Sequence, residues 1–170
     1  MSEDPNGKLP PCGLYRTSTK IGEIPEGRLV YFHNHGNPGA GVYFPDKWVT
    51  NRAQVSPNGT VVPKDFDGKG LEPLLPEGFY RVIQPFHCCE KKCVQFQTDA
   101  FVQLGYNGVG KALMFVPELG TGMINVPERG TFVDDAVLVN LMPLMVAERK
   151  QEEPGKGGGN LSLPRGIIVH

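Results

Sequence analysis

Glycine and proline punctuate this sequence so densely that little room is left for long helices. The chain of 170 residues holds 22 glycines and 16 prolines. Proline fixes φ and removes a backbone donor, and glycine favours turns, so both residues end regular elements. The sequence therefore predicts a mainly β fold, a small barrel-like or sandwich-like domain built from short hairpins.

The apolar content and the charge narrow the class of protein. Hydrophobic residues make up 39% of the chain, which is enough for a packed core. The 17 basic and 18 acidic residues are spread evenly over both halves. Because no basic patch is formed that would hold a phosphate backbone, the sequence disfavours nucleic acid as a partner.

Three regions are predicted along the chain. Residues 1–12 are rich in proline, glycine and charge and are typical of a mobile leader. Residues 13–148 form a single β-rich domain in this prediction. Residues 149–170 contain a run of glycines and read as a flexible tail.

The predicted strands are rich in β-branched and aromatic residues and are bounded by turn residues. They are 28–33, 42–44, 47–55, 60–62, 79–84, 93–97, 101–106, 112–116, 123–126 and 131–133. Asn58 and Gly59 predict a turn that joins 47–55 to 60–62, and 107–110 predicts the turn of a hairpin over 101–116.

Helix is expected in only two places. Residues 71–75 are predicted to form one helical turn. A short C-terminal helix is predicted to begin at Asp134 or Asp135 and to end before Pro143, because an aspartate caps a helix and a proline stops it.

Short phrases recur in the sequence. Pro-Glu-Gly occurs at 25–27 and 76–78, and Pro-Glu-Arg-Gly occurs at 127–130. The recurrence indicates similar turns, but the flanking segments do not match well enough to predict an internal repeat.

The segment 87–93, His-Cys-Cys-Glu-Lys-Lys-Cys, is the most unusual in the chain. Thiolates and imidazoles are preferred zinc ligands, so one interpretation is a zinc site formed by Cys12, His87, Cys89 and Cys93. Cys88 is left out because adjacent residues of an extended chain point in opposite directions. A second interpretation is redox chemistry among neighbouring thiols, and a third is that the cysteines are ordinary packing residues.

Two further motifs carry weaker predictions. His33 and His35 stand at alternate positions of a strand end, but a glycine-rich turn explains them without a metal. Residues 105–111 match the spacing of a phosphate-binding loop, yet Ala112 replaces the required Ser or Thr and no helix follows, so nucleotide binding is rejected.

The aromatic residues between positions 31 and 48 offer one more alternative. Tyr31, Phe32, Tyr43, Phe44 and Trp48 would suit a platform that stacks single-stranded nucleic-acid bases. Few basic residues accompany them, and aromatics on paired strands usually pack on one another.

The leading functional hypothesis is a non-catalytic protein-binding module of the cytoplasm: an adaptor, an immunity-type inhibitor or an assembly subunit. It rests on the lack of a catalytic motif, of a secretory signal and of an apolar run long enough to span a membrane. The β-branched residues Ile167, Ile168 and Val169 are predicted to bind the partner as an added strand. The alternative is a zinc-dependent or thiol-dependent enzyme or redox protein that uses the segment 87–93 together with His33 and His35.

Overall fold

The computed structural model describes residues 9–147 and consists mainly of short strands. Two antiparallel sheets of five strands dominate it, accompanied by three two-stranded ribbons. The mainly β prediction is confirmed, although the sheets within the described residues do not close into a barrel.

The first unit, residues 13–73, contains one five-stranded sheet and one ribbon. Its strands are β1 (Gly13–Thr17), β2 (Leu29–His33), β3 (Gly41–Tyr43), β4 (Pro45–Val49), β5 (Arg52–Val55), β6 (Thr60–Val61) and β7 (Leu71–Pro73). The sheet has the order β6-β3-β2-β1-β7, and β4 and β5 form the ribbon.

The second unit, residues 78–143, contains the other five-stranded sheet, two ribbons and a 3₁₀ helix. Its strands are β8 (Gly78–Val82), β9 (Phe86–His87), β10 (Gln95–Phe96), β11 (Phe101–Tyr106), β12 (Ala112–Phe115), β13 (Glu118–Gly120), β14 (Met123–Asn125), β15 (Thr131–Phe132) and β16 (Leu141–Pro143), with the 3₁₀ helix at Asp135–Asn140. The sheet has the order β15-β12-β11-β8-β16.

The two units have the same topology. When the sheet strands of each unit are numbered along the chain, both sheets have the order 4-3-2-1-5, and each unit inserts a ribbon between its third and fourth sheet strands. The first strands share the pattern Pro-x-Gly-x-Tyr-Arg, at 11–16 and at 76–81. In both, the tyrosine hydroxyl donates to the carbonyl of the proline four residues earlier, at 2.6 Å for Tyr15 and 2.6 Å for Tyr80.

A second match between the units concerns a ring that lies on a glycine. A Cβ added at Gly59 would lie 2.7 Å from the Tyr43 ring, and one added at Gly130 would lie 2.9 Å from the Phe115 ring. Both contacts join the third sheet strand to the turn before the fourth, where only glycine leaves room for the ring. Residues 11–143 therefore consist of one structural unit that occurs twice.

The recurring Pro-Glu-Gly did not reveal this repeat, because its two copies occupy different places. Residues 76–78 lead into β8, which begins at Gly78, and they correspond to 11–13, where the sequence reads Pro-Cys-Gly. Residues 25–27 belong instead to the turn between β1 and β2. The sequence alone did not predict the repeat, because the pattern that the two units share has few identical residues.

The β4–β5 ribbon of the first unit packs on the sheet of the second unit. The Trp48 indole N–H donates to the Tyr106 carbonyl at 2.8 Å, and the buried Gln103 side chain bonds to Thr50 and Asn51 at the ribbon's tip. The two units are joined through this ribbon and through Leu29, whose backbone N–H donates to Gly108.

Each unit has its own buried cluster. Tyr15, Val30, Phe32 and Val42 lie in the cluster of the first unit. The cluster of the second unit includes Val102, Leu104 and Met114, together with Leu29 from the first unit. The adjacent residues Leu29 and Val30 of β2 thus pack in different clusters, because successive side chains of a strand face opposite ways.

Several predicted elements differ from the structure. Residues 47–55 were predicted as one strand but form the β4–β5 ribbon, with Thr50 and Asn51 in the turn at positive φ. Residues 60–62 were predicted to pair with them, whereas β6 pairs with β3. The helical turn predicted at 71–75 was also wrong, because β7 pairs with β1 there.

The C-terminal helix lies where it was predicted, with Asp134 at its N-cap, but it is a 3₁₀ helix that ends at Asn140. Residues 141–143 then pair with β8 instead of continuing the helix. Within residues 9–147, no helix has the length and apolar character needed to cross a membrane. The predicted tail, with Ile167, Ile168 and Val169, and most of the predicted leader lie outside the described residues.

Candidate metal centres

Three cysteines of the second unit form one compact group, here called the thiol cluster: Cys88, Cys89 and Cys93. They lie in the turn between β9 and β10, whose residues Phe86 and Phe96 stack with ring centroids 5.0 Å apart. The Cys88 N–H donates to the Val94 carbonyl and the Lys92 N–H to the Cys89 carbonyl, so backbone bonds close the turn.

The sulfur atoms of the thiol cluster are spaced as ligands of one ion would be. All three lie within 4.8 Å of one another, and the Sγ atoms of Cys88 and Cys89 are 3.5 Å apart. Two thiolates on a tetrahedral zinc ion, each at about 2.3 Å, would be roughly 3.8 Å apart. The expectation that Cys88 and Cys89 point in opposite directions was wrong, because these residues turn rather than continue β9.

Backbone N–H groups point at the sulfur atoms. The Val94 N–H donates to the Cys88 Sγ at 3.3 Å. The pKa of the Cys89 thiol lies below its ordinary value, because the Cys88 thiol and the backbone N–H groups of Lys91 and Cys93 donate to it. The pKa of the Cys93 thiol is raised by its hydrogen bond to Cys89 and by the negative charge there. The thiolate form, which binds metal, is therefore favoured more at Cys89 than at Cys93.

The fold does not bring the four residues of the predicted zinc site together. Cys89 and Cys93 come together as predicted, but the third member of their group is Cys88. His87 lies in β9 between the buried residues Phe86 and Cys88 and is not a member of the group. Cys12 lies in the first unit, in a different group.

That different group, here called the Cys-His cluster, consists of Cys12, His33 and His35. One ligand atom from each lies within 4.8 Å of the others, and all three side chains are partly buried. The Cys12 Sγ lies 3.9 Å from the His35 Nδ1, and the two imidazole rings are 3.8 Å apart between centroids. The sequence suggested that the two histidines share a face, but spacing gave no sign of the cysteine.

Asn34 organises the Cys-His cluster. Its side chain is buried, and its Oδ1 accepts from the Cys12 thiol at 3.3 Å and lies 2.9 Å from the His35 Nδ1. Its backbone N–H donates to the Cys12 Sγ at 3.3 Å. Since Asn34 Nδ2 also donates to the Pro10 carbonyl, the strand end and the segment that carries Cys12 are tied together.

An open cleft of about 330 Å³ adjoins the Cys-His cluster. His33 belongs to both, and the remaining walls are Tyr31, Tyr43 and the segment 55–57. The aromatic residues considered as a base-stacking platform do not form one surface. Phe32 is in the core, Phe44 packs against the same core and Trp48 packs on the second unit, so only the two tyrosines line the cleft.

Both clusters are close enough to hold a metal ion. Searches among protein families, curated proteins and solved structures find no match to this chain. The chemistry of the two clusters is therefore the main guide to function.

Proposed function

We propose that this is a cytoplasmic zinc-binding protein whose ion is held by the thiol cluster. The observation that carries the proposal is the convergence of three sulfur atoms within 4.8 Å, with backbone N–H groups directed at two of them. Hydrogen bonds of this kind stabilise thiolates, which are the form of cysteine that binds metal.

The donor set favours zinc over harder ions. Sulfur ligands suit zinc, and carboxylates and carbonyls suit magnesium or calcium. Three thiolates leave a net charge of minus one around a divalent ion, and Lys91 and Lys92 stand in the same turn. The fourth position of a tetrahedral ion would be taken by water or by a donor from a partner.

An ion at this site would order the second unit. Cys88 is 2% exposed and belongs to the buried cluster of that unit. Its carbonyl accepts from the Asp134 N–H at 2.9 Å, next to the 3₁₀ helix. Because a site of this kind forms only in the folded chain, the free energy of zinc binding adds to the free energy of folding.

Removing zinc is expected to lower the melting temperature of the wild-type protein. At free zinc a thousandfold above Kd the gain is about 4 kcal/mol, or roughly 8–16 °C for a chain of this size. The measurement is thermal unfolding with and without a chelator, together with the zinc content of the purified protein. Lower pH should weaken binding, because protons compete for the thiolates.

The matched variants are Cys89→Ser with Cys93→Ser, and Glu90→Gln as a control, since Glu90 is exposed in the same turn and is not a member of the cluster. The double variant should lose one zinc ion per molecule and most of the chelator effect, and the control should keep both. A double variant with the zinc content and chelator response of wild type would contradict the proposal.

A protein-binding role is the second candidate, and the β13–β14 ribbon is the observation that favours it. All six of its strand residues are exposed, and they include Leu119 at 84%, Met123 at 60% and Ile124 at 59%. The corresponding ribbon of the first unit, β4–β5, packs on a sheet. An apolar ribbon of the same kind left in solvent suits docking on a partner protein.

A comparison of captured proteins tests this role. The double variant Leu119→Ser with Ile124→Ser should lose a specific partner protein that the wild type retains. The control Val109→Ser removes an exposed apolar side chain outside the ribbon and should retain that partner. Identical captured sets for all three proteins, at equal melting temperatures, would count against the ribbon as a binding surface.

A further inference from the structure

The duplication allows the same surface to be compared in the two units. In the strand registers, Tyr31, His33 and Tyr43 of the first unit correspond to Gln103, Gly105 and Phe115 of the second. In the second unit this surface is covered, because the β4–β5 ribbon lies on it.

Gly105 permits that covering. A Cβ added there would lie 2.8 Å from the Asn51 carbonyl oxygen at the tip of the ribbon. In the first unit, His33 stands at the corresponding position, so its side chain occupies the space that a docked ribbon would need. The surface of the first unit is the open cleft bounded by Tyr31, His33 and Tyr43.

We propose that the Cys-His cluster is a second metal site, distinct from the thiol cluster, with an open coordination position toward this cleft. Cys12, His33 and His35 supply one thiolate and two imidazoles, a donor set suited to a borderline divalent ion such as zinc. His33 joins the site to the cleft, since it is a member of both.

The spacing of the ligands supports the assignment. A sulfur at about 2.3 Å and a nitrogen at about 2.0 Å from a tetrahedral zinc ion would be roughly 3.5 Å apart. The Cys12 Sγ and the His35 Nδ1 are 3.9 Å apart, so a small side-chain shift brings them to one ion.

Asn34 is the positioning residue of this site. Its backbone N–H donates to the Cys12 Sγ, which stabilises the thiolate that an ion requires. Its Oδ1 lies within hydrogen-bonding distance of the His35 ring. Because Nδ1 is the His35 ring nitrogen near the Cys12 sulfur, it would bind the ion through its lone pair. Asn34 therefore positions the ligands through its backbone N–H and through the bond of its Nδ2 to the Pro10 carbonyl.

The open position determines what the site would take. With three protein ligands, a tetrahedral ion keeps one place for water or for a small ligand with an anionic oxygen. The two tyrosines and Val55 give the cleft apolar walls, with the Tyr31 and Tyr43 hydroxyls for polar contacts. The inferred occupant is a small molecule that offers one metal-binding group and an apolar body.

Cobalt(II) is the probe that separates this site from the thiol cluster. The titration is performed on the full chain carrying Cys89→Ser and Cys93→Ser, so that the thiol cluster retains only one sulfur. One cobalt ion per molecule is expected, with the visible absorption of a tetrahedral ion and a charge-transfer band from one thiolate.

Further substitutions in that background locate the ion. Cys12→Ser should abolish the charge-transfer band, and His33→Ala or His35→Ala should weaken binding by more than the ~10–100-fold known for loss of an outer partner. His87→Ala is the control, because His87 lies in neither cluster, and it should bind cobalt as the parent does.

The assignment is overturned if cobalt binding and spectrum are the same in the parent, Cys12→Ser and His33→Ala proteins. It is also overturned if only the pale spectrum of an octahedral, water-bound ion is seen. Circular dichroism shows whether each variant folds. If His33→Ala does not fold, His35→Ala still tests the site, because His35 lies outside the strands and its loss should disturb the fold less. The cobalt result does not depend on whether the thiol cluster binds zinc, because the parent protein already lacks two of the three sulfur atoms of that cluster.

Discussion

Leu29→Ala is expected to lower the free energy of unfolding by about 2–5 kcal/mol, the range for a leucine truncated in a packed core. Leu29 is 0% exposed and lies in β2 of the first unit, yet it packs in the buried cluster of the second. Its backbone N–H donates to the Gly108 carbonyl at 2.9 Å. Truncation leaves a cavity between the two units. The units cannot easily close it, because the backbone bond between Leu29 and Gly108 holds them in place.

Urea unfolding of the variant measures this loss, with Leu119→Ala as the matched control. Leu119 is 84% exposed, so its truncation should change the free energy of unfolding by no more than about 0.5 kcal/mol. A loss below about 1 kcal/mol for Leu29→Ala would mean that the units do not share this core.

Gly105→Ala is expected to cost about 1–3 kcal/mol, the range for a side chain forced into a filled space. The added Cβ would lie 2.8 Å from the Asn51 carbonyl oxygen and 3.2 Å from the Phe115 ring. The backbone oxygen cannot move aside as a flexible side chain can. The β4–β5 ribbon should therefore lift, and Trp48, which donates to Tyr106, should become more exposed.

Trp48 fluorescence reports the ribbon directly, because this is the single tryptophan of the chain. Gly39→Ala is the control, since nothing lies within 4 Å of a Cβ added there. Its emission and stability should match the wild type. If Gly105→Ala also matched the wild type, the ribbon would not pack on the second unit as described.

Local turn chemistry allowed part of the fold to be predicted. The predicted hairpin of β11 and β12 is confirmed. It could be predicted because Asn107 and the glycines after it are typical turn residues. The β4–β5 turn was hidden, since Thr50 and Asn51 adopt positive φ without a glycine. Their conformation is stabilised by contacts with the second unit, including two bonds to Gln103, which lies far away in sequence.

Pairing with distant strands overrode other local patterns. Residues 71–73 have no clear strand signal, but they pair with β1, and Glu72 lies 2.8 Å from the Arg16 guanidinium. Thr60 and Val61 pair with β3 instead of the nearer β5. Both pairings are repeated in the second unit, so the duplicated topology fixes them.

The candidate sites were predictable only where their residues are close in sequence. Cys89 and Cys93 were identified as ligands because they lie four residues apart. Cys88 was left out of the predicted zinc site because the chain was assumed to be extended there. Cys12 reaches His33 and His35 through the pairing of β1 with β2, which brings Gly13 opposite Phe32. No spacing rule contains that information.

Anomalous diffraction at the zinc absorption edge, from crystals of the protein purified without chelator, shows whether zinc occupies the thiol cluster. A peak is expected about 2.3 Å from the Sγ atoms of Cys88, Cys89 and Cys93. Absence of a peak at the thiol cluster, with continuous density joining two of its sulfur atoms as a disulfide, would contradict the proposed zinc site.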